Sequence, residues 1–241
     1  MMPNDLYKGM SNFYNAFVQR NRDYKAIATD LIDLFGNAKT ILDVGIGTGL
    51  LVEQIIQLRP DLDIVGIDTS SSLLTQAKEC LGSKVTLYCE DISNLHLNQM
   101  FDLAYSRGGA WAFVKDGDTL WLASHILDLK TIEQSFARVA AHLCDQGRLI
   151  IISSNSNHTK SEQADNEMLF ERTVTKELIE DRQYLVLNYQ GYHLGNLVGE
   201  QQIRMRLIDL ECVEKILDSV GLRSISDHKG EYHIYQKRSF Q

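Results

Sequence analysis

Apolar positions near the start of the chain recur about every 3.6 residues. Phe13, Phe17, Tyr24, Ile27, Leu31 and Leu34 share one face of a helix predicted from Asn12 to Phe35, which Gly36 and Asn37 end. The pattern then shortens. Thr40 to Val44 has the form of a buried strand, a glycine-rich turn follows, and a helix runs from about Leu50 to Leu58. The cycle repeats with a strand at Asp63 to Ile67 and a helix at Ser70 to Leu81, for which Thr69 or Ser70 is the N-cap. Val85 to Cys89 and Phe101 to Tyr105 are further strands. A long helix is expected from about Thr119 to Leu143, and Arg148 to Ile152 after Gly147 reads as a fully buried strand. Strands alternating with helices imply right-handed βαβ units and a mostly parallel sheet covered on both faces.

After Ser153 the texture changes. Residues 154–165 are polar and loop-like. Leu169 to Leu178, Tyr184 to His193 and Gln202 to Ile208 then read as strands of an inserted antiparallel element. Leu210 to Val220 returns to helix and ends at Gly221. Leu222 to Ser226 and Tyr232 to Gln236 are two closing strands, expected at the sheet edge.

Composition narrows the function classes. The chain has 241 residues, 44% hydrophobic and 23% charged, which suits one domain with a full core. Its net charge is −8, and no run of Lys and Arg forms a basic patch, so a nucleic-acid partner is not expected. The cysteines, Cys80, Cys89, Cys144 and Cys212, form no CxxC pair and read as small core residues in a reducing compartment. Met1 to Asp5 shows no basic region followed by an apolar stretch. No apolar run approaches the roughly 20 residues needed to cross a bilayer, so a cytoplasmic location and no membrane partner are expected.

The chemistry centres on Asp43-Val44-Gly45-Ile46-Gly47-Thr48-Gly49. A strand enters, three glycines turn the chain, and a helix leaves. Without Cβ atoms the backbone approaches a ligand closely, at the carboxyl end of a strand where open α/β sheets bind their ligands. The spacing departs from the dinucleotide fingerprint G-x-G-x-x-G, because Leu50 stands where the third glycine belongs. The second strand ends at Asp68, whose carboxylate can accept from both hydroxyls of a ribose or cap the helix that follows. The third ends Glu90-Asp91-Ile92, where Asp91 can accept from an adenine amine or close a surface turn.

Together these strand ends resemble those of class I S-adenosylmethionine-dependent methyltransferases, from about Asn12 to Ser153. The resemblance implies a Rossmann-like, doubly wound α/β fold: a mostly parallel seven-stranded sheet with an antiparallel last strand, which suits Tyr232 to Gln236. The domain reading is a single unit, 1–241. It comprises a helical cap (1–36), a cofactor-binding core (37–153), an inserted β cover (154–208) and a C-terminal helix with edge strands (209–241). The cofactor implied is S-adenosyl-L-methionine. Gly45, Gly47 and Gly49 would pack on its amino-acid portion and ribose, Asp68 would hold the ribose hydroxyls, and Asp91 with Ile92 the adenine. Asp43, Thr69 and Ser106, at the same strand ends, complete the expected set. The N-terminal segment is similar to that of small-molecule N-methyltransferases of the glycine and amino-sugar types. By that likeness Arg20, four residues before Tyr24, meets the cofactor carboxylate and Tyr14 closes over the methionine end. The spacing from Tyr14 to Tyr24 is one residue shorter than in the sugar enzymes.

The fourth strand leads into Arg107-Gly108-Gly109-Ala110-Trp111. Enzymes that methylate nucleobase amines commonly carry Asp or Asn, then Pro-Pro and an aromatic residue here; this chain does not. Arg107 can pair with an acidic acceptor, and Trp111 can stack on a planar or cationic one or belong to the core. Tyr192 and His193 lie on the inserted element, which resembles the hairpin that small-molecule methyltransferases place over the active site. His125, His158 and His193 can each act as a base, and none is singled out. Asp116 and Asp118 fit an exposed Lys-Asp-Gly-Asp loop better than a ligand cluster, so no metal is expected. The expected activity is methyl transfer to nitrogen or oxygen of a small-molecule acceptor, with a homodimer compatible. A nicotinamide-dependent oxidoreductase and a non-catalytic binding protein on the same fold are the alternatives.

Overall fold

The computed structural model describes residues 15, 23–154, 160–163, 167–228 and 230–239; Tyr14, Arg20 and His158 lie outside them. Asp23 starts helix α1 (Tyr24–Phe35) by accepting from the Ala26 N–H at 2.9 Å. Strand β1 (Thr40–Val44) feeds the glycine turn and helix α2 (Leu50–Leu58). Strand β2 (Asp63–Asp68) and helix α3 (Ser71–Leu81) follow, with the Ser70 hydroxyl accepting from Leu73 N–H at 3.2 Å. Strands β3 (Thr86–Cys89) and β4 (Phe101–Ser106) come next, and further along helix α4 (Leu129–His142) and strand β7 (Leu143–Ile152). Helix α5 (Leu210–Ser219), strand β12 (Leu222–Ser224) and strand β13 (Tyr232–Lys237) close the described chain.

Seven of these strands form one sheet in the order β12-β13-β7-β4-β1-β2-β3. β7, β4, β1, β2 and β3 are parallel, and β13 runs antiparallel between β7 and β12. Consecutive residues of the central strands are buried on opposite faces, as a doubly covered parallel sheet requires. Ile41 and Leu103 pack with Leu31, Phe35 and Ile55 from α1 and α2. Leu42 and Ala104 pack with Phe136, Val139, Val213 and Leu217 from α4 and α5.

Between β4 and α4 the chain does not form the long helix expected from Thr119. It forms a hairpin, β5 (Trp111–Asp116) and β6 (Thr119–Ser124), with Trp111 opposite Ser124 and Asp116 opposite Thr119. The Gly117-Asp118 turn, with Gly117 at φ +59°, sets this register. The helix begins only where Asp128 accepts from Thr131 N–H at 2.9 Å. The hairpin joins β11 (Asn196–Asp209), β10 (Arg182–His193), β9 (Met168–Ile179) and β8 (Lys160–Gln163) in an antiparallel sheet ordered β5-β6-β11-β10-β9-β8. The insertion therefore recruits residues 111–124 as well as the later segment. Val114, Ala123, Leu185, Leu187, Ile203, Met205 and Leu207 are its core. Phe113 bridges to Ser153 in parallel fashion, which ties the second sheet to the end of β7.

The turns after β1 and β4 press directly on each other. A Cβ on Gly45 would lie 2.3 Å from Gly109 Cα, and one on Gly109 would lie 2.4 Å from the Val44 carbonyl oxygen. Gly45 also sits at φ +84°. Gly47, at φ +58°, has nothing within 4 Å of such a Cβ. Gly45→Ala is expected to cost about 2–5 kcal/mol, combining left-handed strain with overpacking against backbone. Gly47→Ala is expected to cost only the strain, about 1–2 kcal/mol. Chemical denaturation of both variants checks the order; equal losses would contradict the backbone contact.

Candidate active site

The ends of β1 and β2 are joined by main-chain bonds. Gly45 N–H and Ile46 N–H both donate to the Ile67 carbonyl, at 2.8 and 3.0 Å. The Asp68 carboxylate extends the junction: one oxygen accepts from Gly47 N–H and the other from Ser70 N–H, each at 2.8 Å. One side chain thus holds the glycine turn and the start of α3 together. Gly49 enters α2 in the left-handed region, at φ +79°, and contributes no side-chain cap.

A cavity of about 380 Å³ opens over this junction, within the usual size range of small-ligand sites. Asp43, Gly45, Gly47, Asp68, Thr69, Asp91 and Ile92 line it, together with Glu90, Tyr24, Arg107 and His125. Gly49 lies in the same turn, where a Cβ would press on Leu81 and Ala77 of α3. Asp91 is partly committed: its Oδ1 accepts from both N–H and Oγ of Ser93, at 2.8 Å each, capping a short 3₁₀ turn at Ile92–Asn94.

Two ionisable groups in the wall are displaced from their usual behaviour. Asp43 is 4% exposed and accepts from the Tyr105 hydroxyl at 2.5 Å. Burial pushes its carboxyl up to about 7; the Tyr105 bond and the Arg107 charge lower it, while Asp68 raises it. Burial pulls the His125 imidazole down to about 4, against an upward effect from its hydrogen bond to the Gly108 backbone, so the ring is neutral near pH 7. The Arg107 guanidinium lies 5.7 Å from the centre of the Tyr24 ring.

Four sequence expectations fall elsewhere. Ser106 is fully buried, its hydroxyl donating to the Trp111 carbonyl at 2.8 Å, and it does not line the cavity. Trp111 is equally buried and stacks on Phe136 with ring centres 4.1 Å apart, so it belongs to the core. Tyr192 lines a second, smaller cavity at the β9–β10 end with Leu169 and Leu194. His193 is 3.2 Å from Glu167 at the same end. The second sheet reaches the main cavity's wall indirectly, through Phe170, which clusters with Met168 and Tyr189 and packs on the cavity residues Tyr24 and Leu50. Sequence reasoning passed over Tyr105, Glu90 and Phe170. Tyr105 and Glu90 stand at strand ends beside residues already singled out. Phe170 carries no such signal. Among the described residues, no group of three or more His, Cys, Asp or Glu is arranged to hold a metal ion, and no helix is long and apolar enough to cross a membrane.

Residues 41–147 match the family described as a methyltransferase domain. A malonyl-[acyl-carrier protein] O-methyltransferase of Acetivibrio thermocellus is 33% identical over 95 residues, 39% of this chain and 34% of that protein. The chain spans about a quarter to just over a third of the length of the curated relatives it matches. A solved S-adenosylmethionine-dependent methyltransferase from Clostridium acetobutylicum superimposes with a TM-score of 0.69, covering 97% of this chain and 99% of that one at 21% identity. CalS10, an amino pentose methyltransferase from Micromonospora echinaspora solved with S-adenosylmethionine bound, gives 0.70 at 15% identity, covering 93% and 96%. The chain shares the fold of these solved S-adenosylmethionine-dependent methyltransferases, and within it residues 41–147 match the methyltransferase-domain family.

Proposed function

We propose that this chain binds S-adenosylmethionine in the main cavity and transfers its methyl group to nitrogen or oxygen of a small-molecule acceptor. The observation that carries the reading is the cavity itself, which runs along the strand ends from Asp91 and Asp68 across the glycine turn to Arg107 and His125. The residues fit the cofactor. A Cβ on Gly47 would project into open space, as a cradle for a close-lying ligand requires. Asp68 lines the cavity at the end of β2 with its carboxylate oriented by Gly47 N–H and Ser70 N–H, and a carboxylate there is the acceptor type that ribose hydroxyls require. Glu90 and Asp91 offer acceptors for an adenine amine beside the apolar Ile92.

When bound, the cofactor supplies a methyl group already activated on a sulfonium. The chain's task is then mainly alignment, which can contribute about 7–11 kcal/mol. Phe170 over Tyr24 and Leu50 supports a covered pocket suited to a small acceptor. His125 is neutral but only weakly basic, which favours orienting an acceptor by hydrogen bonding over removing its proton. The relatives' printed acceptor, a malonyl group on a carrier protein, belongs to proteins of which this chain covers only a part. Domain limits at 36, 153 and 208 and assembly as a homodimer remain part of the same proposal.

Four outcomes are expected. Titration calorimetry should show binding of S-adenosylmethionine and none of NAD. Asp68→Ala should weaken the former by roughly 10²–10⁴, from two lost bonds to a charged acceptor; a loss under fivefold in folded protein would sink the ribose assignment. Excess EDTA should leave turnover intact once an acceptor is found, and recovery by magnesium after inhibition would show a metal requirement. The fourth concerns Asp43. Its folded value is about 7, against 3.8 for the unfolded reference, so folding takes up a proton between those values. Its burden on stability grows as pH rises from about 4 to 7 and is constant above. The stability of Asp43→Asn relative to wild type should therefore climb across that window and then level off. A flat difference across pH 4–8 would mean that Asp43 ionises normally.

A further inference from the structure

Two histidines meet where the second sheet is fastened to the first. His233 of β13 is fully buried, and His228, between β12 and β13, is mostly so. Their Nδ1 atoms are 2.9 Å apart, in rings inclined by 19° with centres 5.2 Å apart. The nitrogens therefore lie between the two centres, and the rings meet edge to edge along an N–H···N bond instead of face on face. His228 holds this position from a left-handed backbone, at φ +56°.

The pair is anchored at both ends. His233 Nε2 is 3.0 Å from the hydroxyl of Ser153, directly after β7. His228 Nε2 is 3.0 Å from the Ser224 hydroxyl of β12 and 3.3 Å from the Glu214 carboxylate of α5. That carboxylate also accepts from the Tyr235 hydroxyl of β13 at 2.8 Å. The His233 ring packs on Phe113 of β5, with ring centres 4.2 Å apart. Phe113 in turn ties the second sheet to β7. It bridges to Ser153, and its carbonyl accepts from Ser154 N–H at 2.7 Å. One chain of polar groups thus runs from α5 through β13 to the joint between the sheets.

Protons limit what this chain can hold. A neutral imidazole carries one N–H, so one Nδ1 donates and the other accepts. A first extra proton fits on His228, facing Glu214. A second would put hydrogens on both Nδ1 atoms and press two positive rings together. Burial foremost, then the charges of His228 and of Lys115 on β5, pull His233 from 6.5 down to about 4, while Asp227 acts the other way.

We propose that the His228–His233 pair is an acid-sensitive latch: uptake of a second proton parts the two rings and frees Phe113, and with it the second sheet, from the end of β7. A released His233 would regain its ordinary affinity for protons. Each pH unit lost between 6.5 and about 4 therefore favours the open joint by about tenfold, and above 6.5 the latch is indifferent to pH. The strand it frees continues the cavity wall, since residues 107–110 line the cavity and run straight into β5.

Hydrogen exchange at the Ser154 amide reads the joint directly, because that N–H is bonded to Phe113. In the full chain its protection, corrected for the intrinsic rate, should fall by about tenfold or more between pH 6.5 and pH 5, while the amides of β1 keep theirs. His233→Gln keeps a donor and an acceptor but cannot take up the proton, so its Ser154 protection should be flat over the same range. His228→Gln removes the opposing charge and leaves His233 in place, so its protection should fall less steeply than in wild type. Thermal melts check that both variants fold; without a folded His233→Gln, the His228→Gln slope and the titration of the His233 ring by NMR decide. A wild-type slope in either variant, an equal fall in the β1 amides, or a His233 ring that titrates near 6.5 in the folded chain would each overturn the latch.

Discussion

Much of this molecule follows from one contact that admits no side chain. Gly45 and Gly109 bring the turns after β1 and β4 together, backbone on backbone. A methyl group at either position would fall within 2.4 Å of main-chain atoms that cannot rotate aside. This closeness forms the floor of the cavity and sets Arg107 and His125 on the same wall as the glycine turn. It also sends β5 away from the parallel sheet into the second one. A turn after β4 that stood off by a residue's thickness would open the floor and release the hairpin.

The parallel half of the fold was legible because its strands are buried on both faces and its turns are marked by glycine. Asp43, Gly45 and Asp68 could be placed from Ile41-Leu42-Asp43-Val44 and Val65-Gly66-Ile67-Asp68 without knowing the sheet order. The β5–β6 hairpin was not legible. Thr119 to Ser124 is buried on both faces at its second half, so a strand and a helix leave the same apolar trace. Asp116-Gly117-Asp118 is the available signal, since a loop this short with a glycine at positive φ joins two strands. Trp111 looks like a site residue because it follows β4 closely, yet its ring completes the layer against Phe136. For Tyr192 the alternation of a strand decides. It pairs with Leu169, whereas Phe170 pairs with Gly191, so Tyr192 and Phe170 lie on opposite faces, and of the two it is Phe170 that packs on the cavity residues Tyr24 and Leu50.

The acidic strand ends show why cap and ligand readings of an aspartate need not compete. Asp68 does cap the start of α3, through Ser70 N–H, and it also fixes Gly47 N–H. Both bonds point the carboxylate at the cavity and hold it there. A ligand group arriving from the cavity meets an acceptor whose orientation is already fixed, which lowers the ordering cost of binding. Asp91 follows the same logic with Ser93 on one oxygen. Asp43 is the contrast. It is buried against Tyr105 and its carboxyl is raised to about 7, so it is roughly half ionised at neutral pH and responds to whatever charge enters the cavity.

On the proposed reading, these differences divide the labour along the cavity. The β2 and β3 ends present carboxylates fixed by backbone donors, suited to neutral hydroxyls and amines. The β4 end presents a guanidinium and a neutral imidazole. His125 hydrogen-bonds to the backbone of Gly108, the residue that takes the left-handed turn allowing Gly109 to meet Gly45. The orientation of the imidazole and the approach of the two turns are thus consequences of the same local backbone. Acceptor geometry on this wall cannot shift independently of the cofactor cradle, because both are built on the Gly45–Gly109 contact. Variation in acceptor is left to the side that rests on side chains alone, where Phe170 of the second sheet packs on Tyr24 and Leu50.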